Sequence, residues 1–220
     1  MSLQEWITDF ARYVPGFINA AWIVLLLTVV SIVISWICGL LAALGKASKL
    51  TPLRYISSFY VWFVRGTPTL IQIFIVYFGL PQVGIRLSPF VAGVIALGVN
   101  SGAYVAEIIR SGLSAIPKGQ MESSLALGMS RFDAMTRIIL PQVFRIIIPS
   151  LTNEAITSLK NTSLLSTITV VELTLYAQMI IASTFRPFDF YIASAIVYLV
   201  MTSVLSQISA HLERGYSKLY

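Results

Sequence analysis

The chain contains few of the residues from which catalytic and metal-binding sites are usually built. Cysteine occurs once, as Cys38, and histidine occurs once, as His211. A disulfide framework needs pairs of cysteines, and cysteine-rich or paired-histidine metal sites need several such ligands. The sequence therefore excludes an intrachain disulfide framework and both of these kinds of metal site.

Charged residues are also scarce. They make up 11% of the 220 residues, whereas 57% are hydrophobic; a soluble globular domain has roughly 25% charged residues. So little charge cannot cover a water-facing surface, which excludes an ordinary soluble enzyme and a disordered chain. The sequence predicts an integral membrane protein. The net charge of +6 is interpreted as the excess of lysine and arginine in cytoplasmic loops, and not as a nucleic-acid surface.

Five apolar stretches are long enough to cross a bilayer, which takes about 20 residues. The acidic residues Glu5 and Asp9 precede the first stretch, where a signal peptide would carry positive charge, so we expect a retained span. The fourth stretch has a polar centre, Lys160 to Ser163, and is interpreted as one long, interrupted helix. The predicted spans are 17–44, 56–80, 89–112, 146–183 and 189–210.

Loop charges predict how the chain is oriented in the membrane. The loop after the first span carries Lys46, Lys49 and Arg54 without an acidic residue, and basic residues also exceed acidic ones in the segment 113–145. Positively charged loops stay on the cytoplasmic side. We therefore expect the N-terminus outside and the C-terminus in the cytoplasm. Five spans agree with this orientation, because an odd number of crossings places the two termini on opposite sides of the membrane.

The segment 113–145 is too long and too regular for a simple turn. Gln120 to Phe132 has the spacing of a short amphipathic helix, with Leu125, Met129 and Phe132 on one face and Gly128 interrupting it. A structured loop of this length in a small membrane protein is usually functional. A helix lying on the membrane surface is the alternative interpretation.

Three motifs resemble one family of transport proteins. Glu122-Ser123-Ser124, Gly128, Ile138 and Leu140-Pro141 have the spacing of the "EAA" loop of ABC importer permeases, in which E-A-A is followed after three residues by G, then after nine by I, and then after one by L-P. The two serines replace the alanines of that motif. Arg65-Gly66-Thr67-Pro68 and the segment 159–164 (Leu-Lys-Asn-Thr-Ser-Leu) resemble the polar amino-acid branch of the same family.

The resemblance implies a fold and a mechanism. The fold is that of a type I ABC importer permease: an all-α integral membrane protein forming a single domain over residues 1–220, with five transmembrane helices and a cytoplasmic coupling helix. Such a permease is not an enzyme, because ATP and magnesium are bound by a separate ATPase subunit. The loop helix at 120–132 would transmit that subunit's movement to the spans. The residues expected to make this contact are Glu122, Ser123, Ser124, Gly128 and Phe132.

The resemblance also implies partners and a location. Five spans enclose a solute path poorly, so we expect a second permease copy, identical or different. A solute-binding protein outside the cell would deliver the substrate, and the assembly would lie in the bacterial inner membrane, in contact with lipid. A passive channel or an assembly scaffold is the alternative function, since either would work without an ATPase.

Polar side chains occur in three spans near the predicted middle of the bilayer. Asn100 and Thr67 lie about 15 Å deep and Glu154 about 12 Å deep, at a rise of about 1.5 Å per residue. Such residues normally face a pathway or a partner. The sequence therefore predicts a substrate site formed by Thr67, Asn100, Tyr104, Glu154, Thr157, Ser158 and Asn161.

Glu154 suggests the kind of substrate that this site binds. We expect its carboxylate to face an ammonium group, which favours a cationic amino acid such as arginine, lysine or histidine. The α-ammonium that every amino acid carries is an equally good partner, and bonding between helices is the alternative role for all of these polar residues. Glu107 and Arg110, three residues apart, are predicted to form a structural ion pair.

Overall fold

The structure, a computed structural model, describes residues 10–217 of the chain, with side chains as far as His211. The acidic residues Glu5 and Asp9 lie outside the described residues. Eight helices lie between residues 14 and 217. They are α1 (Val14–Ala47), α2 (Thr51–Gly66), α3 (Thr69–Val83), α4 (Pro89–Ala115), α5 (Lys118–Ala126), α6 (Arg131–Ile168), α7 (Leu173–Thr184) and α8 (Pro187–Ser217).

Four of these helices are long and apolar enough to cross a membrane: α1, α4, α6 and α8. The helices α2 and α3 together supply a fifth candidate, but they are bent by 112° where they meet. The bend falls at Thr67 and Pro68, both of which have extended backbone angles. Proline removes a backbone hydrogen bond, so the predicted single stretch over 56–80 is a sharply broken pair of helices.

The helices α1 and α4 form the centre of the bundle. A Cβ atom on Gly98 would lie 2.6 Å from the Ile34 side chain, and one on Gly102 would lie 2.7 Å from the Cys38 Cβ atom. These two contacts advance together along both helices, so α1 and α4 run in the same direction. Glycine allows this close approach because it has no side chain.

The prediction of one interrupted helix over 146–183 is wrong. The helix α6 begins at Arg131 and ends at Ile168, and α7 is a separate helix. Between them Thr169 has φ 66°, a left-handed conformation that ends a helix. Glu172 then caps α7, because its carboxylate accepts hydrogen bonds from the N–H groups of Thr174 (2.8 Å) and Leu175 (3.0 Å).

The predicted loop helix over 120–132 is also wrong in its bounds. The helix α5 ends at Ala126, and Gly128 adopts φ +85°, which turns the chain sharply. Ser130 then caps α6 by accepting from the N–H of Asp133 at 3.1 Å. Phe132 therefore lies on α6, and the predicted loop of 113–145 shrinks to the segment between Ala115 and Arg131.

Candidate functional site

A polar cleft of about 350 Å³ lies between the end of α2, the second half of α4 and the middle of α6. A neighbouring cleft of about 520 Å³ shares three of its residues, Arg65, Tyr104 and Glu107, and extends toward Lys46. The break after α2 places Arg65 at this point, since the helix ends one residue later at Gly66. The first cleft is lined by Arg65, Tyr104, Glu107, Ile108, Arg110, Ser111, Gly112, Ile146, Ile147, Ser150 and Glu154.

Glu154 joins the wall of this cleft to the centre of the bundle. The Ser101 hydroxyl on α4 donates a hydrogen bond of 2.7 Å to its Oε1 atom. The residue is half-buried, and among the described residues Ser101 is its one hydrogen-bond donor. A carboxylate has about four lone-pair sites, so Glu154 keeps unused acceptor capacity that faces the cleft.

Three cations surround the Glu107 carboxylate at one end of the same cleft. The Lys46 Nζ atom lies 2.5 Å from Oε1, and the Arg110 Nε atom lies 3.0 Å from Oε2. Arg65 is more loosely held, with NH1 3.7 Å from Oε2 and its guanidinium 5.5 Å from the centre of the Tyr104 ring. The predicted contact between Glu107 and Arg110 is thus present, within a larger cluster that joins α1, α2 and α4.

Gln72 holds two of the predicted substrate ligands in contacts within the protein. Its Nε2 atom donates to the Thr67 hydroxyl (2.7 Å), and its Oε1 atom accepts from the Asn100 amide (3.0 Å). Asn100 is 4% exposed and lies away from the cleft. The structure therefore brings Thr67 and Asn100 together as the sequence predicted, but with the side chain of Gln72 between them.

The remaining predicted ligands lie on different sides of α6. Ser158 is buried, and its hydroxyl has no hydrogen-bond partner among the described side chains and backbone. Asn161 is half-buried, whereas Thr157 is exposed. Of the seven predicted substrate residues, only Tyr104 and Glu154 line the polar cleft.

The helix α5 and the turn after it expose the predicted ATPase contact. Glu122 and Ser123 are exposed, while Ser124 is buried and donates to the Gln120 carbonyl at 2.7 Å. Beyond Gly128, the Phe132 side chain is 75% exposed, and Leu127 on the other side of the turn is 84% exposed. Two large apolar side chains therefore project from the same turn, as expected of a surface that a partner covers.

Several of these residues were absent from the predicted site. Gln72 could have been found as an amide within the apolar run LIQIFIV, since such a group needs a partner in the membrane. Arg65 belongs to the motif Arg65-Gly66-Thr67-Pro68, but the sequence alone assigned no role to its side chain. Ser101 and Leu127 carried no separate signal, because a serine in a span and a leucine in a loop are both common.

A bundle of several membrane-spanning helices with a broken span and a polar cleft at the break has the architecture of a membrane transport protein. Residues 35–218 match the family described as "Binding-protein-dependent transport system inner membrane component". The chain therefore belongs to the permease subunits of binding-protein-dependent ABC importers, and within them to the amino-acid permeases, as the following relatives indicate.

Two relatives from Bacillus subtilis (strain 168) match along nearly their whole length. The "Probable glutamine ABC transporter permease protein GlnM" is 36% identical over 220 residues, which covers 100% of both chains. The "Arginine transport system permease protein ArtQ" is 38% identical over 202 residues, or 91% of this chain and 92% of the relative. A solved structure, "Crystal structure of an amino acid ABC transporter with histidines", is 40% identical with a TM-score of 0.90, covering 94% of this chain and 97% of the other.

Membership of this family confirms the predicted fold class and the resemblance that the three motifs indicated. The chain is a multi-pass inner-membrane permease subunit without an ATPase site of its own, and ATP is hydrolysed by a partner. Permeases of this family generally work with an ATPase subunit, a solute-binding protein and a second permease chain.

Proposed function

We propose that this chain forms, together with a second permease chain, the path by which a polar amino acid enters the cell. A separate ATPase, which binds ATP and magnesium, would drive the import, and an extracytoplasmic solute-binding protein would deliver the amino acid. The observation that carries the substrate assignment is the polar cleft, where Glu154 presents a carboxylate with one donor among the described residues.

Glu154 is assigned as the partner of a substrate ammonium group. A carboxylate at the wall of a membrane cleft is costly unless a cation or several donors accompany it. Relatives named for glutamine and for arginine share 36% and 38% identity with this chain. Glutamine has only an α-ammonium and arginine has a cationic side chain as well, so both fit. Arginine, lysine and histidine are the first substrates to test.

The second permease copy is supported by a polar stripe on α6. Ser150, Asn153, Thr157 and Lys160 are all exposed and follow each other at spacings of three and four residues, which places them on one face of the helix. Such a face is unfavourable against lipid. A second permease chain facing this stripe would remove it from lipid and enclose a hydrophilic path between the two chains. Of the predicted ligands, Thr157 lies on this stripe and the half-buried Asn161 lies beside it, whereas Ser158 is buried on another side of α6.

Contact with the ATPase is assigned to α5 and the turn that follows it. Glu122 and Ser123 are exposed on α5, and Gly128 produces the turn that presents Leu127 and Phe132. Ser124 is buried and donates within α5 to the Gln120 carbonyl, so it is not assigned a direct contact with the partner. The proposed contact thus keeps Glu122, Ser123, Gly128 and Phe132 of the predicted set, omits Ser124 and adds Leu127.

The orientation in the membrane is part of the same proposal, since α5 must reach a cytoplasmic ATPase. The chain has one cysteine, so Cys38→Ser gives a cysteine-free background. In that background, Leu127→Cys should react with a membrane-impermeant maleimide only in inside-out vesicles. Labelling of Leu127→Cys in intact cells would contradict the orientation with the N-terminus outside.

The test of the function is ATP-driven uptake in proteoliposomes that contain this chain, its ATPase and its binding protein. The panel should include arginine, lysine, histidine, glutamine and glutamate. We expect uptake of at least one, and a loss of at least tenfold in Glu154→Gln with much of the activity retained in Glu154→Asp, which keeps the charge. Unchanged uptake in Glu154→Gln would refute the role of this residue, and no ATP-dependent uptake of any amino acid would refute the function.

A further inference from the structure

The polar cleft contains a cationic side chain, that of Arg65, to which the proposed function gives no role. Every α-amino acid carries a carboxylate beside its ammonium group, and Glu154 can bind only the ammonium. A carboxylate that leaves water needs donors or a cation of its own. The same cleft presents the guanidinium of Arg65, at the broken end of α2.

Arg65 is the least committed of the three cations around Glu107. Lys46 and Arg110 each donate a hydrogen bond to one of the two carboxylate oxygens, at 2.5 Å and 3.0 Å. The Arg65 NH1 atom is 3.7 Å from Oε2, too far for a hydrogen bond, and Arg65 makes no hydrogen bond to any residue that the structure describes. Its side chain is 45% exposed.

The net charge of the cluster around Glu107 also favours an anion beside Arg65. Three cations and one carboxylate leave two net positive charges in the group formed by Lys46, Arg65, Arg110 and Glu107. The excess favours an anion next to the cation that Glu107 does not hydrogen-bond. Among the cations that line the cleft, that is Arg65.

Tyr104 gives the Arg65 guanidinium a defined position. The guanidinium carbon lies 5.5 Å from the centre of the Tyr104 ring, within the range of a cation–π contact. A contact with the ring restricts the flexible side chain without using its N–H groups. The planar fork of an arginine so held matches a carboxylate, which it can bind through two parallel hydrogen bonds.

We infer that Arg65 is the residue that binds the α-carboxylate of the transported amino acid, in the same cleft as the ammonium site at Glu154. The inference rests on the proposed function, since it adds a second recognition element to the same cleft. Its consequence is that the permease itself selects for α-amino acids and binds the corresponding amines, which lack the carboxylate, more weakly. The side chain of the substrate would then contribute less to recognition in this cleft.

The test is a binding measurement on the purified complex of permease and ATPase, without the solute-binding protein. The binding protein must be left out because it recognises the amino acid too and would mask the preference of the permease. The probes are two matched pairs: L-arginine with its decarboxylated form agmatine, and L-glutamine with its decarboxylated form 4-aminobutanamide. In the wild-type complex we expect the amino acid of at least one pair to bind at least tenfold more tightly than its amine.

Substitutions then assign that preference to a residue. In Arg65→Gln we expect the ratio of the two affinities to fall toward one, because only the amino acid loses a partner. Arg65→Lys, which keeps the charge but not the fork, should retain part of the preference. Arg54→Gln is the matched control: Arg54 lies on the same helix, exposed beside Tyr55 and outside both clefts, and should keep the full ratio.

Two results would overturn the inference and leave the proposed function intact. The first is equal binding of both members of each pair by the wild-type complex, a comparison that does not depend on whether any variant folds. The second is a loss in Arg65→Gln that is the same for amino acid and amine, which would mean that Arg65 only supports the structure. Absence of ATP-driven uptake of every amino acid would instead refute the proposed function, and the inference with it.

Discussion

The exposed turn between α5 and α6 should account for much of the affinity for the ATPase. Leu127 and Phe132 project from it with 84% and 75% of their surface exposed. Neither residue touches the polar cleft, and neither belongs to one of the buried clusters of the core. Replacing both with alanine therefore removes apolar surface from the contact while leaving the core and the cleft unchanged.

The size of the effect follows from the surface that the partner would cover. Burying a leucine or phenylalanine side chain completely contributes about 1.5–3 kcal/mol. Because Leu127 and Phe132 are already partly covered and alanine keeps a methyl group, we expect each substitution to cost about 1–2.5 kcal/mol. Since about 1.4 kcal/mol corresponds to tenfold in affinity, the double variant should bind the ATPase at least about 30-fold more weakly.

The assay is the affinity of the purified permease for its ATPase subunit, measured by titration in detergent with size-exclusion profiles as a check on folding. Leu50→Ala is the matched control, because Leu50 is 67% exposed in the short connection between α1 and α2, outside the α5 turn. Affinity in the double variant within threefold of the wild type would refute the assignment of this surface. An equal loss in Leu50→Ala would show that exposed leucines in general, and not this turn, contribute the affinity.

Two further predictions concern the local structure of the helices. Gly128→Ala should lower the stability of the complex by about 1–2 kcal/mol, and the cost is conformational, because φ is +85° there and no atom lies within 4 Å of the new methyl group. Thermal unfolding checks this prediction against Gly119→Ala, since Gly119 also faces open space but has no positive φ. Equal unfolding midpoints of the two variants would contradict the prediction. Tyr198→Phe removes the hydroxyl that donates to Glu172 at 2.7 Å and should cost about 1–3 kcal/mol, because Glu172 is fully buried. Tyr191→Phe is its control, since Tyr191 is 46% exposed, and a shift in unfolding midpoint as small as that of the control would contradict the role of Tyr198.

The sequence predicted the architecture because the membrane constrains it strongly. Without water in the bilayer, a chain this apolar must satisfy its backbone hydrogen bonds within helices. The motif around Gly128 indicated the family for a different reason. Gly128 has φ +85°, a conformation that other residues adopt only with strain, so the turn requires glycine at this position. Composition and this spacing together were enough to predict the fold class and the family.

The details of the helices were less accessible, because they depend on contacts between distant residues. The break after α6 is made by Thr169, a non-glycine residue with φ 66°, and by Glu172, whose carboxylate caps α7 and also accepts from Tyr198. No local pattern distinguishes that glutamate from one facing a substrate. The prediction of Asn100 and Tyr104 as parts of one site was similarly ambiguous, because Asn100 bonds to Gln72 whereas Tyr104 contacts Arg65.

Two helices run between the polar cleft and the exposed turn after α5: α6, which carries both Phe132 and Glu154, and α4, which ends next to α5. Within three turns of α4, Asn100 hydrogen-bonds to α3, Ser101 hydrogen-bonds to α6, and Glu107 hydrogen-bonds to Lys46 of α1 and forms a looser ion pair with Arg65 of α2. The helix α4 ends at Ala115, and only two residues, Ile116 and Pro117, separate it from Lys118, where α5 begins. Near that end Gly112 packs tightly against Ile147, since a Cβ atom on Gly112 would lie 2.2 Å from that side chain. If the ATPase displaces α5 as proposed, α4 and α6 should move together, and with them Tyr104 and Glu154, which both line the cleft. The helix α2 is held against α4 by the Tyr60 hydroxyl, which donates to the Val99 carbonyl at 2.6 Å, and by a buried cluster that Val61 and Val64 share with Ala103 and Ala106. A movement of α4 would therefore also carry Arg65, at the end of α2, and change the shape of the cleft from three sides.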